Sequence, residues 1–346
     1  MSQITIREVA EHAGVSEATV SRVLNNKKWV KEETREKVLH TIAELRYQPD
    51  GMAQKLGSGR GEKGIIGVLI ANSSNSLYDD HTFFEIVRGV GDIVEERDKS
   101  LLLHCLKKEH PQKIPKSMTK SMVDGLIIGG TSITKSYARL LMSQGIPVVV
   151  IGNQPWATHR ILVDNYAGSK KAVDHLLDIG HDKIGCISGS VEIYSYHDKV
   201  EGYKSALKER GIQIDPNLIV EEPGEGRQGG YAGMKQLMEL SHPPTAIFCT
   251  DFEMTMGGWL YLSEAGIQIP SQLSLVSYCS GDLGQLAEIP LTTIRIGERN
   301  IGHAAARLLL DVLDERISGS MDISISTELM LGMSTQQLDI RKEAVK

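Results

Sequence analysis

"VSEATVSRVLNN", residues 15–26, has helical periodicity and an outward face built from small, hydroxyl and amide side chains around one arginine. Val20, Val23 and Leu24 fall on one side of such a helix, and Glu17, Ala18, Ser21, Arg22 and Asn25 on the other. Upstream, "TIREVAEHA" sets Thr5 three residues before Glu8, the spacing at which each side chain can satisfy a backbone donor, so a helix starts there. Its apolar positions Ile6, Val9, Ala10 and Ala13 follow the i, i+3, i+4, i+7 rule; Gly14 permits a tight turn, and Ser16 can cap the second helix. A third helix, from about Glu32 to Tyr47, supplies Val38, Ile42 and Leu45 to a three-helix core. Two short helices with a glycine turn, Ala10 at the crossing and a polar second helix form a helix-turn-helix, which sets the second helix in a DNA major groove. A helical hairpin with a solvated face has the same periodicity, and periodicity does not separate the two.

Charge bears on that choice. The 346 residues carry 38 Lys plus Arg against 44 Asp plus Glu, a formal net charge of −6, which a phosphate backbone would repel. The distribution is uneven: residues 1–60 hold ten basic and eight acidic side chains, whereas the other 286 hold 28 and 36. A mildly basic head is therefore joined to an acidic body, which a Debye length of about 8 Å largely screens from the head's partner. Composition, 41% apolar and 24% charged, is that of a globular chain long enough for two or three domains. No apolar run approaches the roughly 18 residues of a membrane span, and "MSQITIREVA" carries charges where a signal peptide needs an apolar stretch, so a cytoplasmic location and no membrane partner are expected. The four cysteines are scattered, without metal-ligand spacing, and are expected to be reduced and mostly buried.

A second signal follows the head. In "YQPDGMAQKL", residues 47–56, Pro49 stops the third helix and Asp50 can cap a short new one, with Ala53 and Leu56 on one face. Gly51 costs that helix about 1 kcal/mol relative to alanine, so it is marginal until something stabilises it. "GSGRGEKG" then reads as a flexible linker. The stretches "AGVSEATVSRVLN" and "YQPDGMAQKL" resemble the head and hinge of the LacI/GalR family of bacterial transcription regulators. The resemblance implies paired hinge helices that push Leu56 into the minor groove and kink the operator, a contact that needs little net charge. It implies as DNA contacts Thr5, Ser16, Glu17, Ala18, Thr19, Ser21, Arg22, Asn25, Ala53 and Leu56.

From "GIIGVLI" onward, β-branched runs ("SLLLHCL", "GLIIGG", "IPVVVIG", "KIGCISG", "TAIFCT", "LSLVSY") alternate with amphipathic helices such as "SKKAVDHLLDIG". That alternation means parallel sheets covered on both faces, and the length means two doubly wound subdomains with a cleft between them. The expected organisation is a helix-turn-helix head over 1–48, hinge helix and linker over 49–63, a two-subdomain α/β body over 64–340 and a tail over 341–346. Resemblance extends through the body in "GYKSALKERGI" and "PLTTIRIGERNIGHAAARLLL", implying a periplasmic-binding-protein-like core that holds a small-molecule effector.

"GEGRQG", residues 224–229, is a literal GxGxxG after a possible strand "NLIVEE", and an NAD-dependent enzyme is the alternative reading. Pro223 between strand and glycines, Glu225 beside a would-be pyrophosphate and the position in mid-body count against it. No HExxH, GxSxG or nucleophile–base spacing is present, so a binding protein without catalytic residues, metal or cofactor is expected. The resemblance places the effector against Thr82, Phe83, Lys199, Asp251, Phe252 and Cys279. Here Lys199 stands where the family commonly has arginine, Asp251 at a usual asparagine, Phe252 at a usual aspartate or asparagine, Cys279 at an aspartate and Gly332 at a frequent arginine. Fewer hydroxyl-binding carboxylates argue against a plain hexose and for a charged sugar derivative or zwitterionic metabolite; alternatively, Lys199 and Asp251 simply pair with each other. The tail "STQQLDIRKEAVK" lacks the leucine heptads of a tetramerising coiled coil, so a homodimer is expected.

Overall fold

A computed structural model of the chain describes residues 4–24, 29–47, 63–71, 81–106, 113–130, 135–221, 223–224, 226–279, 284 and 289–338. The expected contacts Asn25, Ala53 and Leu56, with the whole hinge helix, lie outside the described residues.

The head is three helices, α1 (Ile6–Ala13), α2 (Glu17–Leu24) and α3 (Glu32–Glu44). Thr5 caps α1 as its spacing requires: its hydroxyl accepts from the Glu8 amide at 3.4 Å, and its own amide donates to Glu8 Oε2 at 2.7 Å. Gly14 takes φ 59°, the left-handed turn between helices that glycine adopts without strain. The Thr19 amide then donates to Ser16 Oγ at 3.2 Å, so Ser16 caps α2. Val9, Ala10, Ala13, Val20, Val23 and Val38 form the core, with Ile42 and Leu45 packed at its margin. α3 ends at Glu44, three residues short of the expected Tyr47. Arg46 turns to φ 50° and the Tyr47 amide bonds back to the Ile42 carbonyl at 3.0 Å, closing the last turn.

The body has two six-stranded sheets. The first runs β11 (Met321–Ile325), β5 (His159–Val163), β4 (Val148–Ile151), β3 (Gly125–Gly129), β1 (Ile65–Ala71), β2 (Ser100–Leu106), all parallel. The second runs β12 (Glu328–Met330), β10 (Thr292–Arg295), β9 (Ser274–Tyr278), β8 (Ala246–Cys249), β6 (Ile184–Ser188), β7 (Ile219–Glu221), with only β12 antiparallel. Helices cover both faces of each, because successive strand side chains point to opposite sides and both sets are apolar. In β1, Ile66, Val68 and Ile70 join the core beneath α4 (His81–Glu96) and α10 (Glu298–Leu313). Leu69 and Ala71 join the opposite core with α5 (Lys135–Met142). On the second sheet α6 (Asn165–Asp178) and α7 (Tyr194–Glu209) cover one face; α8 (Gly226–Met238) and α9 (Phe252–Glu264) cover the other. The expected pair of doubly wound subdomains is therefore present. Three of the four cysteines are buried; Cys105, on β2, is exposed.

Two glycines of the GxGxxG stretch, Gly224 and Gly229, pack against each other, and neighbouring glycines let two helices meet. A Cβ on Gly229 would lie 2.2 Å from the Gly224 carbonyl oxygen; one on the following Gly230 would lie 1.8 Å from that of Met254, and one on Gly257 would lie 1.8 Å from that of Arg227. Backbone meets backbone where α8 crosses α9. The would-be strand before them is the three-residue edge strand β7, so this is a helix crossing and not the phosphate turn of a first βα unit.

The chain crosses between subdomains three times: at Asp164, at 296–297 and at 326–327. α10 begins at the second crossover and runs outward, since Leu309 meets Gly125 at the start of β3 while Phe83 meets Gly129 at its end. The crossovers and the C-terminal strand ends thus share one edge of each sheet, the position at which parallel α/β sheets bind ligands.

Candidate DNA interface and effector cleft

On α2, Glu17, Ala18 and Arg22 are exposed and Ser21 is half-buried, whereas Val20 and Val23 are buried. Thr5 and Ser16 are exposed and Thr19 is half-buried at the adjoining helix ends. None of these seven expected head contacts is buried, and Ser16, Thr19 and Arg22 share one surface. Sequence reasoning missed Trp29, which follows α2: its indole is 68% exposed and carries the Arg22 guanidinium 4.8 Å from the ring centroid. Arg22 and Trp29, with Ser16, Thr19, Lys31 and Thr34, line one surface groove.

In the body, the strand ends bring together Lys199 of α7, Asp251 after β8 and Tyr278 of β9. Lys199 Nζ donates to the Thr250 carbonyl at 2.9 Å and stands 4.0 Å from the Tyr278 ring centroid and 5.4 Å from that of Tyr196. Burial lowers its pKa to about 8, with the negative charge of Asp251 opposing the shift. Among the described residues no ion pair joins Lys199 to Asp251. Asp251 is committed instead as the N-cap of α9: its Oδ1 accepts from the amides of Glu253 at 2.9 Å and Met254 at 3.2 Å. Its Oδ2 accepts from the Tyr196 hydroxyl at 3.4 Å.

Phe252, the first residue of α9, is half-buried, as are Thr82 and Phe83 in the first turn of α4, so each retains open surface. Cys279 does not: it is 5% exposed, and its thiol lies against the Gly284 amide with its pKa pushed up to about 12 by burial. The expectation that Cys279 touches the effector is therefore not matched by its placement. Gly332, at the other departure, has no room for any side chain, since a Cβ there would lie 2.4 Å from the Pro290 and Leu291 carbonyl oxygens. Sequence reasoning also missed Glu298, 4% exposed at the start of α10, whose Oε1 has no hydrogen-bond partner among the described residues.

The cleft floor is tied to the crossovers. The Tyr278 hydroxyl donates to the Asn165 carbonyl at 2.7 Å, one residue past the first crossover, and lies 3.2 Å from Ser169 Oγ. Thr327, at the third crossover, donates its hydroxyl to the Asp164 carbonyl at 3.2 Å, and its own carbonyl accepts from Lys171 Nζ at 2.7 Å. Among the described residues no His/Cys/Asp/Glu group has the makings of a metal site, and no helix is long and apolar enough to cross a membrane.

A helix-turn-helix ahead of two doubly wound subdomains joined by three crossover segments defines a DNA-binding transcription regulator built on a periplasmic-binding-protein-like body. Residues 5–50 match the family described as bacterial regulatory proteins, lacI family, and residues 173–335 match the periplasmic binding protein-like domain. The chain is 31% identical over 342 residues to the HTH-type transcriptional repressor PurR of Haemophilus influenzae (strain PittEE), covering 96% of this chain and 99% of the relative. It is 32% identical over 340 residues to the HTH-type transcriptional repressor CytR of Escherichia coli (strain K12), covering 96% and 97%. The fold matches a crystal structure of the lac repressor dimer bound to operator and the anti-inducer ONPF, with TM-score 0.82, 24% identity and coverage of 97% and 100%. The chain belongs to the LacI family of bacterial regulatory proteins, and the relatives are repressors, not enzymes.

Proposed function

We propose that this regulator is a cytoplasmic homodimeric repressor that binds two operator half-sites and is controlled by a charged small metabolite held between the body subdomains. Two heads reading successive half-sites give the affinity that one head of charge +2 lacks, with Ala53 and Leu56 as the minor-groove contacts between them. α2 presents Arg22, whose guanidinium can fork onto a guanine. Glu17 can accept from a cytosine amine, and its position in the first turn also favours the helix dipole.

The observation that carries the effector reading is Lys199. Lys199 is half-buried as a residue, with its ammonium turned inward at the strand ends, anchored to one carbonyl and to the face of Tyr278, and joined to no carboxylate among the described residues. A buried cation without an ion-pair partner favours a ligand that brings negative charge. Asp251 keeps part of its acceptor capacity for a donor group, and Phe83 and Phe252 offer apolar faces for a ring. The reading is therefore a phosphorylated or amino-modified sugar, or a zwitterionic metabolite, in preference to a neutral hexose. That a relative in fold, a LacI family regulator from Enterococcus faecium at 25% identity and TM-score 0.69, was solved with bound ribose supports a small ring-shaped ligand.

A thermal-shift screen of the full chain tests it, with sugar phosphates, amino sugars, nucleosides, amino acids and neutral hexoses as the panel. A ligand binding only the native state raises the melting temperature. The expected result is a rise with a charged compound that is lost in Lys199→Glu; a rise confined to neutral hexoses and retained in that variant contradicts it.

A further inference from the structure

We propose that Trp29 is a positioning residue of the DNA interface, holding the Arg22 guanidinium by its face and leaving the N–H edge free to fork onto a guanine. The inference rests on the reading of α2 as the groove-facing helix. Arg22 is exposed on that helix, and an unsupported arginine surrenders much side-chain freedom when it locks onto one base edge. Trp29 supplies the support from outside the helix: the guanidinium carbon stands 4.8 Å from the indole centroid, within the range of a cation–π contact. The donors of a guanidinium lie in its plane, so attraction to a ring face does not consume them, and the fork stays available for the O6 and N7 acceptors of guanine.

Two further features agree with this role. At 68% exposure the indole contributes little to the head's interior, whose core is closed by Val9, Ala10, Ala13, Val20, Val23 and Val38 without it. The groove that Trp29 shares with Arg22 is lined also by Val15 and Val30 and by three hydroxyls and an ammonium, Ser16, Thr19, Thr34 and Lys31, polar groups suited to phosphate oxygens. Base edge and backbone would then be met from one surface, with the aromatic ring at the junction of the two kinds of contact.

The test uses the full chain and duplexes selected by it from a random pool, with affinities read by fluorescence anisotropy at fixed ionic strength. Three duplexes are compared: the selected sequence, the same sequence with each guanine replaced in turn, and random DNA. Trp29→Leu should lower the ratio of selected to guanine-replaced affinity by about 10-fold, leave random DNA within about 2-fold and leave the melting temperature unchanged. Trp29→Phe should restore most of the ratio, and Trp29→Leu combined with Arg22→Ala should discriminate no worse than Arg22→Ala alone. Trp29→Gln repeats the measurement with a polar side chain, separating the ring face from general loss of apolar surface. Full discrimination in Trp29→Leu and Trp29→Gln, or equal losses on selected and random DNA, overturns the proposal. If Arg22→Ala itself leaves discrimination intact, the reading of α2 fails and this inference falls with it.

Discussion

Lys199 sits where its charged form is poorly solvated, and its folded-state pKa of about 8 lies below the ordinary 10.5. Between those two values the unfolded chain retains a proton that the folded chain has shed, so this group's contribution to stability rises as pH increases through that window. The melting temperature of the wild type relative to Lys199→Met is expected to climb from pH 8 to pH 10; a difference that stays flat contradicts the burial assigned to the ammonium. The same deprotonation removes the cation an anionic effector needs, so affinity for such a ligand should fall above about pH 8. Lys199 and Asp251 were legible as a pair of cleft positions only through resemblance, and the sequence left open whether they bond to each other. Fold geometry settles that, because Asp251 is drawn into capping α9 while Lys199 is drawn over Tyr278. Tyr196, Tyr278, Trp29 and Glu298 carry no motif; tertiary folding alone gives them their neighbours.

Helix packing explains residues whose local pattern misleads. Gly230 lies where α8 and α9 touch backbone to backbone, so Gly230→Ala should destabilise the body by about 1–3 kcal/mol, as overpacking does, measured by urea unfolding. Gly91, in α4, is the contrasting case. Nothing lies within 4 Å of where its Cβ would stand, and Gly91→Ala should stabilise by about 0.5–1 kcal/mol through helix propensity. Destabilisation of similar size at both sites would deny the close helix contact its role. For α2, Arg22→Ala should cost about 1–3 kcal/mol on the selected operator and much less on random DNA; equal losses would mean that it touches only phosphate. The head was readable element by element because Thr5, Gly14 and Ser16 are local signals satisfied by neighbours three residues away. β5, with "HRILV", and β11, with "MDISI", lacked the continuous apolar run that marked strands such as β1, β3 and β4. Both lie toward one margin of the first sheet, where burial asks less of the sequence.

At the scale of the whole molecule, the proposed control of DNA binding depends on the edge at which cleft and crossovers meet. Tyr278 belongs to both, with its ring under the Lys199 ammonium and its hydroxyl on the Asn165 carbonyl. Tyr278→Phe keeps the first contact and deletes the second, so ligand affinity should persist while its effect on DNA binding weakens; an unchanged response would show that the crossover is not coupled through this hydroxyl. In the proposed dimer, rotation of one subdomain on the other about the three crossovers would change the separation of the paired heads and so would link DNA and ligand affinities reciprocally. The most direct measurement is operator affinity, by fluorescence anisotropy, for wild type and Lys199→Glu with and without the metabolite that stabilises the wild type. Wild-type affinity is expected to shift by about 5- to 150-fold on adding the metabolite, the range typical of allosteric coupling. Lys199→Glu should bind operator as tightly as wild type and show no shift; a variant that shifts as the wild type does would contradict the claim that the cleft at Lys199 controls DNA binding.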